Sequence, residues 1–174
     1  DYEENRITSF ASEVLRNSFS VGTSTINMGV IATGGAPAIL ENTFSDNFSA
    51  LYIESESRAR VENNIFLDST EYAVFSINNA ATFRGNSGEG NGKNGITLID
   101  GVALPGEGTA LYANALPYLL RERPYYSAKV PAGAILAIEP GAVFKGENNR
   151  SRMEVFGNLE LRGDSKESIL FTSL

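Results

Sequence analysis

An all-β solenoid, a parallel β-helix of roughly 21–25 residues per coil, is predicted by three observations. Two short apolar stretches recur in fixed phase, an asparagine returns to the same place in successive copies, and no amphipathic helical run exists to carry a helical crossover. The first stretch has four copies: Glu13–Ser20, Ala38–Ser45, Ala59–Phe66 and Ala81–Gly88. Read in columns two residues apart, they place Leu15, Leu40, Val61 and Phe83 together, with spacings of 25, 21 and 22. The first column holds Glu13, Ala38, Ala59 and Ala81, and the last Phe19, Phe44, Ile65 and Ser87. A period of two puts these residues on one strand face, with Arg16, Glu41, Glu62 and Arg84 turned to water.

The second stretch lies between those copies, as Gly29–Ala32, Ala50–Ile53, Ala73–Ser76 and Gly95–Leu98. Its spacings are 21, 23 and 22. Val30, Leu51, Val74 and Ile96 form one inward column, and Ala32, Ile53, Ser76 and Leu98 the next. Tyr52 and Phe75 fall outward. One coil cannot bury its apolar column alone, so stacking on its neighbours makes the core.

The asparagines Asn17, Asn42 and Asn63 read as a structural ladder at one corner, each side chain bonding the next. Gly85 takes that place in the fourth copy and ends the ladder there. Earlier in the chain, a weak strand is expected at Arg6–Phe10. Gly85–Gly95 is a glycine-rich turn that fails the phosphate-loop pattern, since Ser87 and Asn94 stand where Gly and Ser/Thr are needed. Around Asp100–Pro124 the period breaks, and Pro117 limits any helix, so residues 103–124 read as a connector or excursion. The organisation expected is coils over 1–102, the excursion over 103–124, and further coils over 125–174. The last group reads as strands at Tyr126–Val130, Ala134–Glu139, Ala142–Lys145, Met153–Phe156, Asn158–Leu161 and Ile169–Thr172. Val130 to Val155 is 25 residues and Ile138 to Leu161 is 23.

Composition narrows the chemistry. The 174 residues contain no Cys and no His, which excludes disulfides, thiolate zinc sites and every His-based triad. The net charge is −7 and Lys and Arg do not cluster (Arg121 and Arg123 are interrupted by Glu122), so no nucleic-acid face is expected. No run approaches the 18 or so apolar residues of a membrane span. Asp1 opens in mid-repeat without a leader, and Leu174 stops inside a coil, so the chain reads as a piece of something longer.

Residues 38–100 resemble the right-handed parallel β-helix repeats of pectate-lyase-like proteins, through Arg60-Val61-Glu62-Asn63-Asn64-Ile65-Phe66 and Ala50-Leu51-Tyr52-Ile53. Residues 117–173 resemble a segment that recurs in large bacterial and archaeal surface proteins of this fold. The likeness runs through Pro117-Tyr118, Val130 to Lys145, Val155 to Gly163 and Ile169 to Ser173. The resemblance implies the right-handed fold and leaves activity open, because the matching residues are turn glycines and core apolars. Proteins with this fold include polysaccharide lyases and hydrolases, adhesins and phage tailspikes.

Four groups are candidates for a site. Glu54, Glu56, Arg58, Arg60 and Glu62 fall on one side of the chain if it stays extended, as an acid/base cluster or as a solvated turn laced with opposite charges. Asp46, Asp68 and Glu71 follow successive copies, but no calcium-loop motif accompanies them and no cofactor is expected; calcium has residue types here without a motif. Tyr52, Phe75, Tyr72 and Phe48 form an aromatic binding surface for sugar rings or a protein partner, unless the 101–124 connector covers it. Arg162-Gly163-Asp164 spells an integrin-type tripeptide, and Asn47 and Asn149 begin glycosylation sequons.

The expected role is a non-catalytic, extracellular structural or adhesive segment of a larger microbial cell-surface protein. Its partners would be the rest of that polypeptide, neighbouring surface proteins or polysaccharide. The alternative is a β-helix polysaccharide lyase, hydrolase or tailspike-like depolymerase using Glu54, Glu56, Arg58 and Arg60.

Overall fold

The computed structural model describes residues 6–7, 13–20, 27–121 and 127–174. Among these there is no helix, and every strand pairing is parallel. The longest wall stacks Arg6–Ile7, Met28–Thr33, Ser49–Glu54, Tyr72–Ile77, Lys93–Gly101, Tyr118–Leu120, Val143–Gly146 and Leu170–Ser173 in that order. Eight described strands in succession make seven turns. A middle wall stacks Glu13–Leu15, Ala38–Leu40, Arg60–Glu62 and Thr82–Arg84, and a short wall stacks Ser18–Phe19, Thr43–Ser45, Ile65–Leu67 and Ser87–Glu89.

The core fills the space between the walls. On the long wall Val30, Leu51, Val74, Ile96, Tyr118, Phe144 and Phe171 share one column. Those from Val30 to Phe144 are buried. Aromatic rungs stack directly, with Tyr118 and Phe144 5.0 Å apart and Phe144 and Phe171 4.8 Å apart.

On the other two walls the columns differ by one residue from the sequence reading. Val14, Ile39, Val61 and Phe83 form the inward column, so Leu15 and Leu40 face outward. Phe19, Phe44, Phe66 and Gly88 share the short-wall column in place of Ile65 and Ser87. The reason lies at the corner. Arg16, Glu41, Asn63 and Gly85 all have left-handed backbone, with φ of 54°, 55°, 55° and 65°. A left-handed residue turns the chain and interrupts the period of two.

The asparagine ladder therefore runs one residue later in the third and fourth copies. Asn17 N donates to Asn42 Oδ1 at 2.8 Å, Asn42 N to Asn64 Oδ1 at 2.9 Å, Asn64 N to Asn86 Oδ1 at 3.1 Å, and Asn86 N to Asn114 Oδ1 at 2.9 Å. Asn63 is the left-handed corner residue beside the ladder, and Gly85 does not end it, because Asn86 carries it on.

The stretch 103–124 does not leave the stack among its described residues. Gly108–Leu111 pairs with Ile135–Ile138, and Asn114 places it on the Thr82–Arg84 coil. Tyr118–Leu120 sits between Lys93–Gly101 and Val143–Gly146. This coil is longer, Phe83 to Leu111 being 28 residues, and the short wall is replaced by the bend at Ala115–Pro117. The remaining coils continue through Ile135–Ile138 onto Asn158–Leu161 and Ala128–Val130 onto Met153–Val155. Of the expected first strand, Arg6–Ile7 is present and residues 8–10 lie outside the described residues, as does Tyr126.

Candidate functional site

The long wall's outer face carries the column Ile31, Tyr52, Phe75, Thr97, Leu119 and Lys145. Parallel in-register stacking brings identical strand positions about 4.8 Å apart, so Tyr52 and Phe75 meet ring on ring. Their centroids are 4.6 Å apart with planes 14° from parallel, and both rings are half-buried. The rung after Phe75 is Thr97, which stops the aromatic column at two.

A third ring, Tyr72, stands where the neighbouring strand changes register. The pairing passes from Tyr72 opposite Lys93 to Val74 opposite Ile96, a bulge in the Lys93–Gly101 strand. Tyr72 packs edge-on to Phe75 at 4.9 Å and 68°. Between these rings, Ile77, Ile99 and the side chains of Glu71 and Arg121 lies an open cavity of about 310 Å³.

Arg121 closes one end of it. Its guanidinium lies over the Tyr72 ring at 5.6 Å, and Nη1 donates to the Tyr72 hydroxyl. Nε pairs with Glu147 Oε2 at 3.2 Å, while Lys93 Nζ lies 3.4 Å from the other Glu147 oxygen. Glu147 is nearly buried, so its charge is held by two cations. Burial pushes the Tyr72 phenol above its ordinary value, partly offset by Arg121, and the charge of the neighbouring Glu71 also acts on it and raises it. Burial followed by the Glu54 charge raises Tyr52 likewise. Both hydroxyls are therefore neutral donors at pH 7.

The other candidates are placed differently. Phe48 is half-buried in the bend before the long wall and does not line the cavity. The charged cluster is not brought to one side. Glu54 ends its strand, Ser55 and Glu56 follow with φ of 57° and 60°, and the chain turns. Arg58 pairs with Glu107, two coils along, and Arg60 pairs with Glu62 at 3.1 Å. Asp46 and Asp68 stack as left-handed corner residues, followed by Gly90. Among the described residues no group of three acidic side chains is placed to hold a metal ion.

Both ends of the integrin-type tripeptide are tied within the chain. Arg162 pairs with Glu139 and Glu160, both at 2.6 Å, and Asp164 Oδ1 accepts from the backbone of Lys166 and Glu167. Asn47 is fully buried, which closes it to glycosylation in the folded chain, whereas Asn149 is exposed.

Glu71, Ile77, Ile99 and Arg121 were not singled out with the aromatics. The signal for three of them is a second outward column two residues on: Ile77, Ile99, Arg121 and Glu147 follow at spacings of 22, 22 and 26.

Residues 3–113 match the family model described as the right handed beta helix region. No curated protein and no solved structure matches the chain significantly.

Proposed function

The chain belongs to the right-handed β-helix family, and from that premise we propose that it is a non-catalytic, extracellular structural and adhesive segment of a larger microbial surface protein. In this reading the long-wall cavity is its carbohydrate-binding site. The observation that carries the proposal is the stacked Tyr52–Phe75 pair, half-exposed at a cavity whose lining also holds Glu71 and the bonded Tyr72–Arg121 pair. The sides of the Tyr52–Phe75 stack, with Ile77 and Ile99, give an apolar wall for the C–H groups of a sugar ring, and a few polar groups on the same lining fix its hydroxyls. Glycoside hydrolysis uses two carboxylates flanking the bond. Among the described lining residues Glu71 is the carboxylate, and Glu147 is held behind Arg121 by two cations. Further support comes from the likeness of residues 117–173 to segments of large surface proteins, and from the shape. The seven described turns, at about 4.8 Å each, make a stiff stretch of roughly 34 Å that displays the binding face.

The test is a panel of polysaccharides scored both for retention of the chain and for new reducing or unsaturated ends. Retention on at least one glycan, without turnover, is expected, and Phe75→Ala should abolish it. Retention of no glycan, or turnover lost in Glu54→Ala or Glu56→Ala, would overturn the proposal.

A further inference from the structure

We infer that the long-wall cavity selects neutral hexose units over uronic acids, a statement that rests on its being a carbohydrate site. Recognition of a sugar carboxylate calls for a cation with free N–H groups, ideally the planar fork of an arginine. Among the described residues Arg121 is the cation that lines the cavity. Two of its five N–H groups are engaged, Nε on Glu147 and Nη1 on the Tyr72 hydroxyl, the guanidinium plane lies against the Tyr72 ring, and its charge is already balanced by Glu147. Lys93, the next cation, is drawn to the far oxygen of Glu147.

The charges of this group sum to zero, two cations (Arg121, Lys93) against two carboxylates (Glu147, Glu71). Among the described lining residues Glu71 is the carboxylate, and it would face an incoming uronate. Placing two like charges in a partly desolvated site is unfavourable. The chain's net charge of −7 adds to the repulsion.

The same groups suit an uncharged pyranose. Glu71 accepts hydrogen bonds from a pair of hydroxyls, the remaining Arg121 N–H groups donate to a ring or hydroxyl oxygen, and Tyr52 and Phe75 cover the apolar face. A cavity of about 310 Å³ is at the small end of ligand sites and has room for roughly one or two rings.

The experiment is calorimetric titration of the full chain, at fixed moderate salt, with tetramers matched except at C6. Galactose is set against galacturonate, and mannose against mannuronate. At least one neutral oligomer is expected to bind tenfold or more tightly than its uronate partner. Phe75→Ala should remove that binding, and Glu147→Gln, which releases Arg121, should narrow the gap by strengthening uronate binding. Equal or tighter binding of both uronates overturns the inference and leaves the carbohydrate site standing. Binding of no sugar, or neutral binding that survives Phe75→Ala, overturns the carbohydrate site and the inference with it.

Discussion

Asn63 and Asn64 are adjacent, chemically identical and opposite in role. Asn64 is fully buried; its Oδ1 accepts from Asn42 N and Nδ2, and its Nδ2 donates to Ile39 O, Glu62 O and Asn86 Oδ1. Asn63 is exposed and supplies a left-handed turn. Asn64→Ala leaves the buried Asn42 N–H without its acceptor and removes one partner each from Asn42 Nδ2, the Ile39 carbonyl and Asn86 Oδ1, at a cost of about 2–4 kcal/mol from one orphaned donor at about 1–3 kcal/mol and several lost bonds at about 0.5–1.5 kcal/mol each, less relaxation. Asn63→Ala keeps the ladder and loses only tolerance of the left-handed backbone, about 1–2 kcal/mol. Urea denaturation of the two variants measures the difference, and equal midpoints would contradict the ladder described above. The choice between the two residues was not legible in the sequence. Asn suits both a corner and a ladder, and the spacing from Asn42 is 21 or 22 depending on which is taken.

At the scale of the element, corners decided which readings held. The six-residue strands of the long wall carry their period of two far enough to be read, and Val30, Leu51, Val74 and Ile96 stand where alternation puts them. The three-residue strands of the middle and short walls are too short for that, and a left-handed residue between them shifts the phase by one. The same effect scattered the Glu54–Glu62 cluster, because alternation does not survive the turn at Ser55 and Glu56. In the cavity, the outward placement of Tyr52 and Phe75 follows from strand alternation, and that of Tyr72 does not. Nor does the partnership of Tyr72 with Arg121, since 49 residues and two coils separate them. Corners are also tied by charge. The hydrogen bond and charge of Arg58 hold the Glu107 carboxyl below its ordinary value of 4.5. A depressed folded value means the contribution is present above the unfolded value and is lost as pH falls through the folded one. The gap in thermal midpoint between wild type and Glu107→Gln should therefore be constant near neutrality and close below pH 4.5. Both groups are exposed, so the gap is small and shrinks in high salt. A gap that widens on acidification would contradict the pairing.

Across the whole molecule, each coil is stabilised by the one above and the one below, so stability is distributed along the axis as in a linear array. The continuous buried core runs from Val30 to Phe144, while Val155, Phe156, Leu161, Leu170 and Phe171 are each 41% exposed or more. Phe144 is sandwiched between Tyr118 and Phe171, whereas the described contact of Phe171 is with Phe144 on one face. Amide exchange should follow this gradient. Ser49–Glu54 and Tyr72–Ile77, flanked by strands on both sides, should open only with the array, and Leu170–Ser173 should open well before it. Phe144→Ala should cost about 3–5 kcal/mol and speed exchange through the central coils, and Phe171→Ala should cost less and act on the last coils alone. The rings of the cavity, Tyr52, Tyr72 and Phe75, belong to the most protected strands, and Arg121 reaches them from a coil that is also covered on both sides. In the 174-residue chain the Leu170–Ser173 coil can thus open while the binding face keeps its shape. Uniform protection from Ser49 to Ser173 would mean that all coils open together, and the independence of the site from the Leu170–Ser173 coil would then be lost.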